Sequence, residues 1–318
     1  MSTERETGQP PPPWVGVIWV GFVVAALMAL DLFGPIVYGV AVPAAAAGLY
    51  LAVGRRGAGS SRRVAADRQD LVAIGALYVV VVALFRLAFE GFGTDRVAGL
   101  FLAFAAGLVL GVGGGLLYTV WHRGRSLASL GLTTARWPVT VGLGVLFAGV
   151  QFALTLWGYD LPAAEAWVPL LVMSLVVGAF EAVFFRGFIQ GRLEASFGTV
   201  PAVAGAAGLY AVYHVGYGMA ADDMVFLFGL GVVYAIAFRL AGSVLVLWPL
   251  LTPLGALFAN LEAGDIELPW ASIAGFVDVA AVMAVLVWLA HRHQRRPQDE
   301  PTGGRAAELA HAGRGHLA

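Results

Sequence analysis

Two ionisable residues of this chain lie where ionisable residues are rarely found. Glu181 and His214 each lie inside a long run of apolar residues, 33 positions apart. A carboxylate and an imidazole that converge on one water molecule are the groups that general acid–base catalysis uses. The alternative is a structural pair, in which the two side chains hold neighbouring helices together through a buried hydrogen bond.

Arg186 follows Glu181 by five positions. An α-helix turns about 500° over five residues, which leaves the two side chains about 140° apart around the axis. We therefore expect Glu181 to find its partner on another helix, and His214 is the only histidine inside a predicted span. Arg186 itself either orders the end of its helix or extends to the lipid headgroups.

Three tyrosines surround the histidine in the sequence, at positions 210, 213 and 217. One of their hydroxyl groups is a candidate hydrogen-bond partner for the Glu–His pair, and packing is the alternative role. Two other charged sites lie in apolar runs. Asp278 is either protonated or paired with a polar residue such as Gln151, whereas Arg86 and Glu90, four residues apart, predict an ion pair at the outer boundary.

The composition shows what must position these residues. Of the 318 residues, 59% are hydrophobic and only 12% are charged, about half the charge of an ordinary soluble domain. This excludes a soluble globular enzyme and a disordered chain, and it predicts the lipid bilayer as the main partner. The net charge of −1 offers no basic surface for nucleic acid. The absence of cysteine excludes disulfides and thiolate sites.

The apolar runs are each long enough to cross a bilayer as a helix, so the predicted fold is an all-α, polytopic membrane helix bundle of about ten transmembrane helices. The predicted spans are residues 14–32, 36–53, 70–89, 97–121, 138–157, 166–188, 200–219, 224–240, 242–261 and 270–291. Glycines crowd the fourth span at positions 111, 113, 114 and 115. They predict close approach of neighbouring helices.

The arginines predict the orientation, because short cytoplasmic loops collect basic residues. With ten spans and a cytoplasmic N-terminus, Arg96 alone among the loop arginines falls on the outer side. We expect a multi-pass protein of the cell (plasma) membrane with both termini in the cytoplasm. The predicted organisation is a disordered Pro-rich N-terminus (1–13), N-terminal transmembrane helices one to four (14–137), a transmembrane core (138–291) and a disordered cytoplasmic tail (292–318).

The sixth and seventh spans carry a family resemblance. The stretch Glu181-Ala-Val-Phe-Phe-Arg186-Gly-Phe resembles the first signature, Glu-Glu-x-x-x-Arg, of the CAAX prenyl protease and bacteriocin-processing (CPBP, or ABI) family of intramembrane proteases. Tyr210-x-x-x-His214 resembles the second signature, Phe-x-x-x-His, at a similar separation. The resemblance extends over roughly residues 166–261, about a third of the chain.

The resemblance implies a helical membrane core with a cavity open to the cytoplasm. It implies peptide hydrolysis in which Glu181 is the general base, His214 its partner and proton donor, and Arg186 a supporting residue. The chain departs from the pattern at Ala182, where the family has a second glutamate. It also lacks the histidine of the third signature, His-x-x-x-Asn. Thr252 or Leu254 stands in the histidine position, and Asn260 is a candidate for the asparagine.

These observations favour a divergent CPBP-type intramembrane endopeptidase that hydrolyses membrane-associated peptides or protein tails. A catalytically inactive scaffold or regulator that binds a partner is the alternative, and a transporter is a weaker one, because no inverted repeat is visible. The family is often described as metalloproteases. We expect no bound metal or other cofactor, because a catalytic zinc takes three protein ligands and Glu181 and His214 supply two.

Overall fold

The computed structural model describes residues 66–93, 96–135, 137–160, 162–220, 223–263 and 271–295, together with residues 34, 40, 44 and 48. In this part of the chain all regular structure is helical, which confirms the predicted all-α class. The first predicted span, all of the second except residues 40, 44 and 48, the Pro-rich N-terminus and most of the C-terminal tail lie outside the described residues.

Eight helices are described. They are α1 (Arg68–Phe92), α2 (Val97–His122), α3 (Trp137–Gln151), α4, α5 (Thr199–Tyr213), α6 (Asp223–Ala241), α7 (Leu251–Ala263) and α8 (Ala271–Arg295). Helix α4 has three consecutive parts, Ala164–Phe180, Glu181–Gln190 and Gly191–Phe197. Four of the helices, α1, α2, α4 and α6, are long and apolar enough to cross a membrane. A helical membrane bundle is therefore supported, and the total of ten spans stays a prediction.

The ninth predicted span, residues 242–261, is not one continuous helix. Gly242 has a positive φ of 67°, a short 3₁₀ turn covers Val244–Val246, and α7 begins only at Leu251. Proline at position 249 has no N–H to continue an α-helical ladder, which explains why the regular helix starts after it. With 13 residues, α7 is about 20 Å long, shorter than the roughly 30 Å of a bilayer core.

The middle part of α4, Glu181–Gln190, is a π-helix in which all ten residues are buried. A π-helix bonds each residue to the one five positions away, and its turns hold more residues than those of an α-helix, so residues i and i+5 are less offset around the axis than in an α-helix. Segments of this kind are frequent at functional sites. The π-helix begins at Glu181 itself.

Helix α4 lies at the centre of the packing. The first part of α4 packs against α7, and its π-helical part contacts α2. Helix α5 packs on the π-helical part and on α6. The rings of Phe180, Phe184 and Phe188 stack along one face of α4, with centroids 5.3 and 6.0 Å apart. A Cβ added to Gly111 would lie 2.5 Å from the ring of Phe180, and one added to Gly115 would lie 3.4 Å from Phe188.

The other two glycines of α2 face different neighbours. A Cβ at Gly113 would lie 3.1 Å from Leu286 of α8, and one at Gly114 would lie 2.9 Å from Leu77 of α1. The predicted role of these glycines in close helix approach is therefore confirmed. Because these glycines have no side chains, large aromatic and leucine side chains of α1, α4 and α8 pack directly on the α2 backbone.

Arginines that the sequence assigned to one side of the membrane meet at one end of the bundle. Asp70, at the start of α1, accepts a hydrogen bond from Tyr118 (2.8 Å) and pairs with Arg125 (2.8 Å). Arg192, near the end of α4, donates to Thr119 over 2.9 Å. These residues belong to the start of α1 and to the ends of α2 and α4. Those helix ends lie on the same side in a bundle whose successive helices run in opposite directions.

Two further ion pairs lie at helix ends, the first near the arginine cluster and the second at the opposite end of α1. Arg239, in the last turn of α6, lies 2.5 Å from Glu194 of α4. Arg86 and Glu90, toward the other end of α1, form the predicted ion pair with a distance of 2.8 Å between Nε and Oε2. Both partners of that second pair are exposed, so the pair contributes at most about 1 kcal/mol.

Candidate functional site

Glu181 is held at the junction of α4 and α5. Its side chain is buried, and its carboxylate accepts a hydrogen bond from the hydroxyl of Tyr213, the last residue of α5. A buried carboxylate without a partner would be strongly unfavourable, so this bond is the main local reason that the side chain is tolerated there. The prediction that Glu181 has its partner on another helix is confirmed, but the direct donor is Tyr213, with the Tyr210 hydroxyl also in reach, and not His214.

His214 comes directly after Tyr213, where α5 changes to a 3₁₀ turn, His214–Tyr217. Its Nδ1 lies 2.9 Å from the backbone oxygen of Tyr210. A carbonyl oxygen only accepts hydrogen bonds, so Nδ1 carries the proton. In the neutral ring Nε2 is then an acceptor with a free lone pair, and the ring orientation is fixed by the other nitrogen.

The two predicted catalytic residues are brought into one cluster but not into direct contact. Among the described residues, no hydrogen bond or ion pair joins Glu181 to His214. Tyr213 links them instead: it binds Glu181 through its hydroxyl, and its ring centroid lies 4.1 Å from that of the next residue, His214. A hydrogen-bonded connection between the two side chains therefore requires a water molecule or a substrate group that binds both.

Arg186 lies inside the protein. Its side chain is 1% exposed, and its guanidinium lies over the ring of Tyr210, 4.9 Å from the centroid. The alternative in which Arg186 extends to the lipid headgroups is therefore wrong. Its two terminal nitrogens, Nη1 and Nη2, have no hydrogen-bond partner among the described residues.

The winding of α4 changes the predicted relation between Glu181 and Arg186. An α-helix would offset them by about 140°, whereas the winding of the π-helix Glu181–Gln190 reduces that offset. The two side chains are electrostatic neighbours, yet no hydrogen bond joins them. A carboxylate and a guanidinium therefore lie near one another on α4 with no direct bond between them.

Tyr210 links the two signature segments. Its ring carries the guanidinium of Arg186, and its backbone oxygen orients His214. Its ring also meets that of Phe185 edge to face, 5.5 Å between centroids. Of the two alternatives for the tyrosines around His214, both occur: their rings pack together, and the hydroxyl of Tyr213 binds Glu181.

The third-signature region supplies structural contacts. Thr252 is buried, and its hydroxyl lies 3.1 Å from the backbone oxygen of Gly178 and 3.3 Å from that of Leu247. Both acceptors are carbonyl groups, so the hydroxyl proton is already used. The next residue, Pro253, is so close to Gly178 that an added Cβ there would lie 2.6 Å from it. Thr252 therefore fastens α7 to α4 just before Glu181.

The structure does not bring Asn260 to this site. Asn260 lies eight residues beyond Thr252 on α7, about 12 Å along the axis. Its neighbours Phe258 and Leu261 pack with Trp167, near the start of α4 and far from Glu181. Leu254, the other candidate position, belongs to the same apolar cluster. The role of Asn260 as a site residue therefore stays a prediction.

Two remaining predictions concern groups away from this cluster. Asp278 lies within α8, but its side chain is outside the described residues. The amide of Gln151, its suggested partner, approaches Gly255 of α7. For metals, the described part of the chain contains no group of three His, Asp or Glu side chains placed to hold an ion.

Comparison with known families agrees with the position of this cluster. Residues 163–250 match the model of a family described as type II CAAX prenyl endopeptidase Rce1-like. The resemblance inferred from the two signatures is thereby confirmed for this region, which contains Glu181, Arg186 and His214. No curated protein and no solved structure matches the chain significantly.

Proposed function

We propose that the chain is a membrane-embedded endopeptidase that hydrolyses membrane-associated peptides or protein tails. The observation that carries the proposal is the buried carboxylate of Glu181, which is bonded to Tyr213, whose ring in turn lies beside the imidazole of His214. This cluster lies within the region similar to a CAAX endopeptidase family. Four helices long and apolar enough to cross a membrane support the membrane setting.

Glu181 is the base for the attacking water. The carboxylate oxygens can each accept more than one hydrogen bond, so a water can bind beside the Tyr213 hydroxyl. Tyr213 fixes the direction of the carboxylate before substrate arrives, and such preorganisation lowers the cost of reaching the transition state. As the water oxygen attacks the peptide carbonyl, Glu181 takes one of the water's protons.

His214 orients the same water. Because Nδ1 is bonded to the Tyr210 carbonyl, Nε2 is the nitrogen that can accept the second hydrogen of the water. The sequence suggested a proton donor in this position, and the geometry favours an acceptor instead. The leaving amine then receives the proton that Glu181 carries, which returns the carboxylate to its charged form.

The membrane arrangement belongs to the proposal as well. Arginines collect at the end of the bundle where α1 begins and where α2, α4 and α6 end, as in the network of Asp70, Arg125 and Arg192. By the positive-inside rule this end faces the cytoplasm. We place both termini in the cytoplasm and the protein in the plasma membrane.

A second candidate function is supported by two departures from the signatures. Ala182 replaces an acid, and Thr252 and Leu254 offer no imidazole. These departures suit a binding scaffold or regulator that keeps the fold without hydrolysing peptides. In that case the Tyr213–Glu181 bond serves only to join α4 and α5.

One experiment separates the two candidates. The purified full chain in lipid nanodiscs is incubated with fluorogenic, lipid-anchored peptides, and cleavage is followed by mass spectrometry. Hydrolysis by the wild type and loss of at least about 100-fold in Glu181→Gln and His214→Ala support the endopeptidase. Glu181→Gln keeps an oxygen that accepts from Tyr213, so its melting temperature should stay near that of the wild type. Absence of wild-type cleavage across the panel supports the scaffold.

A further inference from the structure

The buried guanidinium of Arg186 has hydrogen-bond donors that the protein does not use. The side chain is 1% exposed, and Nη1 and Nη2 have no acceptor among the described residues. The guanidinium lies over the ring of Tyr210, 4.9 Å from its centroid, and a ring face offers no oxygen lone pair. A buried charge left without hydrogen bonds is costly, so a buried donor of this kind points to a group that completes it.

The sequence explains why the donors are unused. The family signature has an acid where this chain has Ala182, four residues before Arg186. Residues four apart on a helix are neighbours, so an acid at that position would pair with the arginine. Alanine removes the carboxylate and leaves the guanidinium available.

Because Arg186 lies near the proposed base Glu181, its guanidinium is placed to bind an oxygen of the substrate. The winding of the π-helix turns Arg186 toward the face of Glu181, and the two side chains interact electrostatically, so the guanidinium lies near the proposed base. A peptide carbonyl attacked by water at Glu181 has its oxygen within about 3 Å of the donor that stabilises it. A guanidinium presents two parallel N–H groups suited to an oxygen anion.

The group that supplies this donor in the third signature has no equivalent on α7. The hydroxyl of Thr252 is bonded to backbone carbonyls, and Leu254 has no polar atom. Asn260 lies at the far end of α7, beside the cluster around Trp167. Among the described residues near Glu181, Arg186 is the cation with free N–H groups.

We propose that Arg186 binds the carbonyl oxygen of the scissile peptide bond and stabilises the oxyanion, in place of the missing third-signature histidine. This inference rests on the proposed endopeptidase function. In the first step the water oxygen bonds to the carbonyl carbon, one water proton passes to Glu181, and the carbonyl π electrons move to the oxygen held by Arg186. The oxyanion then re-forms the carbonyl, the C–N bond breaks, and the amine leaves with the proton from Glu181.

The first test measures kcat, KM and melting temperature of Arg186→Lys, Arg186→Gln and Arg186→Ala in nanodiscs. Loss of one oxyanion donor lowers kcat by about 10²–10³, so we expect that loss in Arg186→Gln with KM changed by less than about threefold. Methylguanidine should restore part of the activity of Arg186→Ala, which a purely structural role would not permit. Arg192→Gln is the matched control, since Arg192 is a 5% exposed arginine of the same helix that bonds to Thr119.

The outcomes distinguish this inference from the function on which it rests. If the wild type is active, Glu181→Gln is inactive and Arg186→Gln keeps its kcat, Arg186 is not the oxyanion donor and the endopeptidase stands. Equal losses of kcat and melting temperature in the Arg186 and Arg192 variants would also overturn the inference. If the wild type cleaves nothing, the endopeptidase and this role of Arg186 fail together.

A second test uses Ala182. Ala182→Glu restores the family residue and gives Arg186 a carboxylate partner, which occupies the donors that the oxyanion needs. We expect kcat to fall by at least about tenfold while the protein stays folded, and Ala182→Gln, of equal size and no charge, to lose less. An Ala182→Glu enzyme with undiminished kcat would contradict the proposal.

Discussion

The hydroxyl of Tyr213 donates a hydrogen bond to the carboxylate of Glu181 and thereby joins the end of α5 to the start of the π-helix in α4. The next residue along the chain is His214, whose ring is in contact with that of Tyr213. One residue of α5 therefore positions the proposed base, and its neighbour supplies the imidazole. The signatures contain the glutamate and the histidine but not the tyrosine that connects them.

Removing that hydroxyl should affect both stability and catalysis. In Tyr213→Phe the buried carboxylate loses its donor, which should lower the free energy of unfolding by about 1–3 kcal/mol. Without a fixed carboxylate, kcat should fall by at least about tenfold. Thermal unfolding and peptide cleavage in nanodiscs measure the two effects.

Tyr78→Phe is the control for Tyr213→Phe. Tyr78 also donates from its hydroxyl to α5, to the backbone oxygen of Leu209 over 2.9 Å, but it touches neither Glu181 nor His214 through that bond. We expect a comparable loss of melting temperature with kcat within about threefold of the wild type. A similar fall of kcat in both variants would show that Tyr213 acts through stability alone.

Substitutions in α7 should separate packing from chemistry. Thr252→Val removes the hydroxyl that bonds the carbonyl of Gly178 and should destabilise the protein by about 1–3 kcal/mol. Asn260→Ala lies away from the site and should leave kcat unchanged. A loss of kcat in Asn260→Ala larger than its loss of stability would support Asn260 as a site residue.

The glycine face of α2 should not tolerate a side chain. In Gly111→Ala the new Cβ would lie 2.5 Å from the ring of Phe180, so the ring or α2 must move, at a cost of about 1–3 kcal/mol. Gly142→Ala in α3 is the matched control, because no atom lies within 4 Å of a Cβ there. Equal melting temperatures for the two variants would show that α2 and α4 are not packed as closely as the structure indicates.

Hydrolysis should be independent of metal ions. The proposed base, water-orienting imidazole and oxyanion donor are all protein groups, and Glu181 with His214 falls short of the three ligands of a catalytic zinc. Incubation with EDTA or 1,10-phenanthroline should therefore leave cleavage within about twofold of the untreated enzyme. Loss of activity that added zinc restores would replace this mechanism with a metal-activated water.

Some features followed from local sequence alone. The helices, their membrane setting and the sorting of arginines depend on apolar runs and on which loop a residue occupies, and both are visible in the chain. The glycines of α2 were assigned correctly because small residues in an apolar helix have few other uses. The ion pair of Arg86 and Glu90 was predicted because both residues belong to one helix.

Other features depended on how distant segments meet. The α-helical periodicity placed Arg186 away from Glu181, and the π-helix turns it nearer to the face of Glu181 because its hydrogen bonds connect residues five apart. Asn260 is the nearest asparagine after the expected third signature, but the direction of α7 takes it to the other end of α4. The sequence alone does not specify how far apart two residues lie along the axes of two helices that pack together.

The sequence by itself determined the helical class, the apolar runs typical of membrane spans and the family spacing of Glu181 and His214, because hydropathy and spacing are properties of the chain. Only the tertiary structure decided that Tyr213 bonds Glu181, that His214 presents Nε2, and that Arg186 keeps its terminal N–H groups free. Hydrogen bonds between helices depend on distances of a few tenths of an ångström and on helix winding. These are set by the packing of α4, α5 and α7 together.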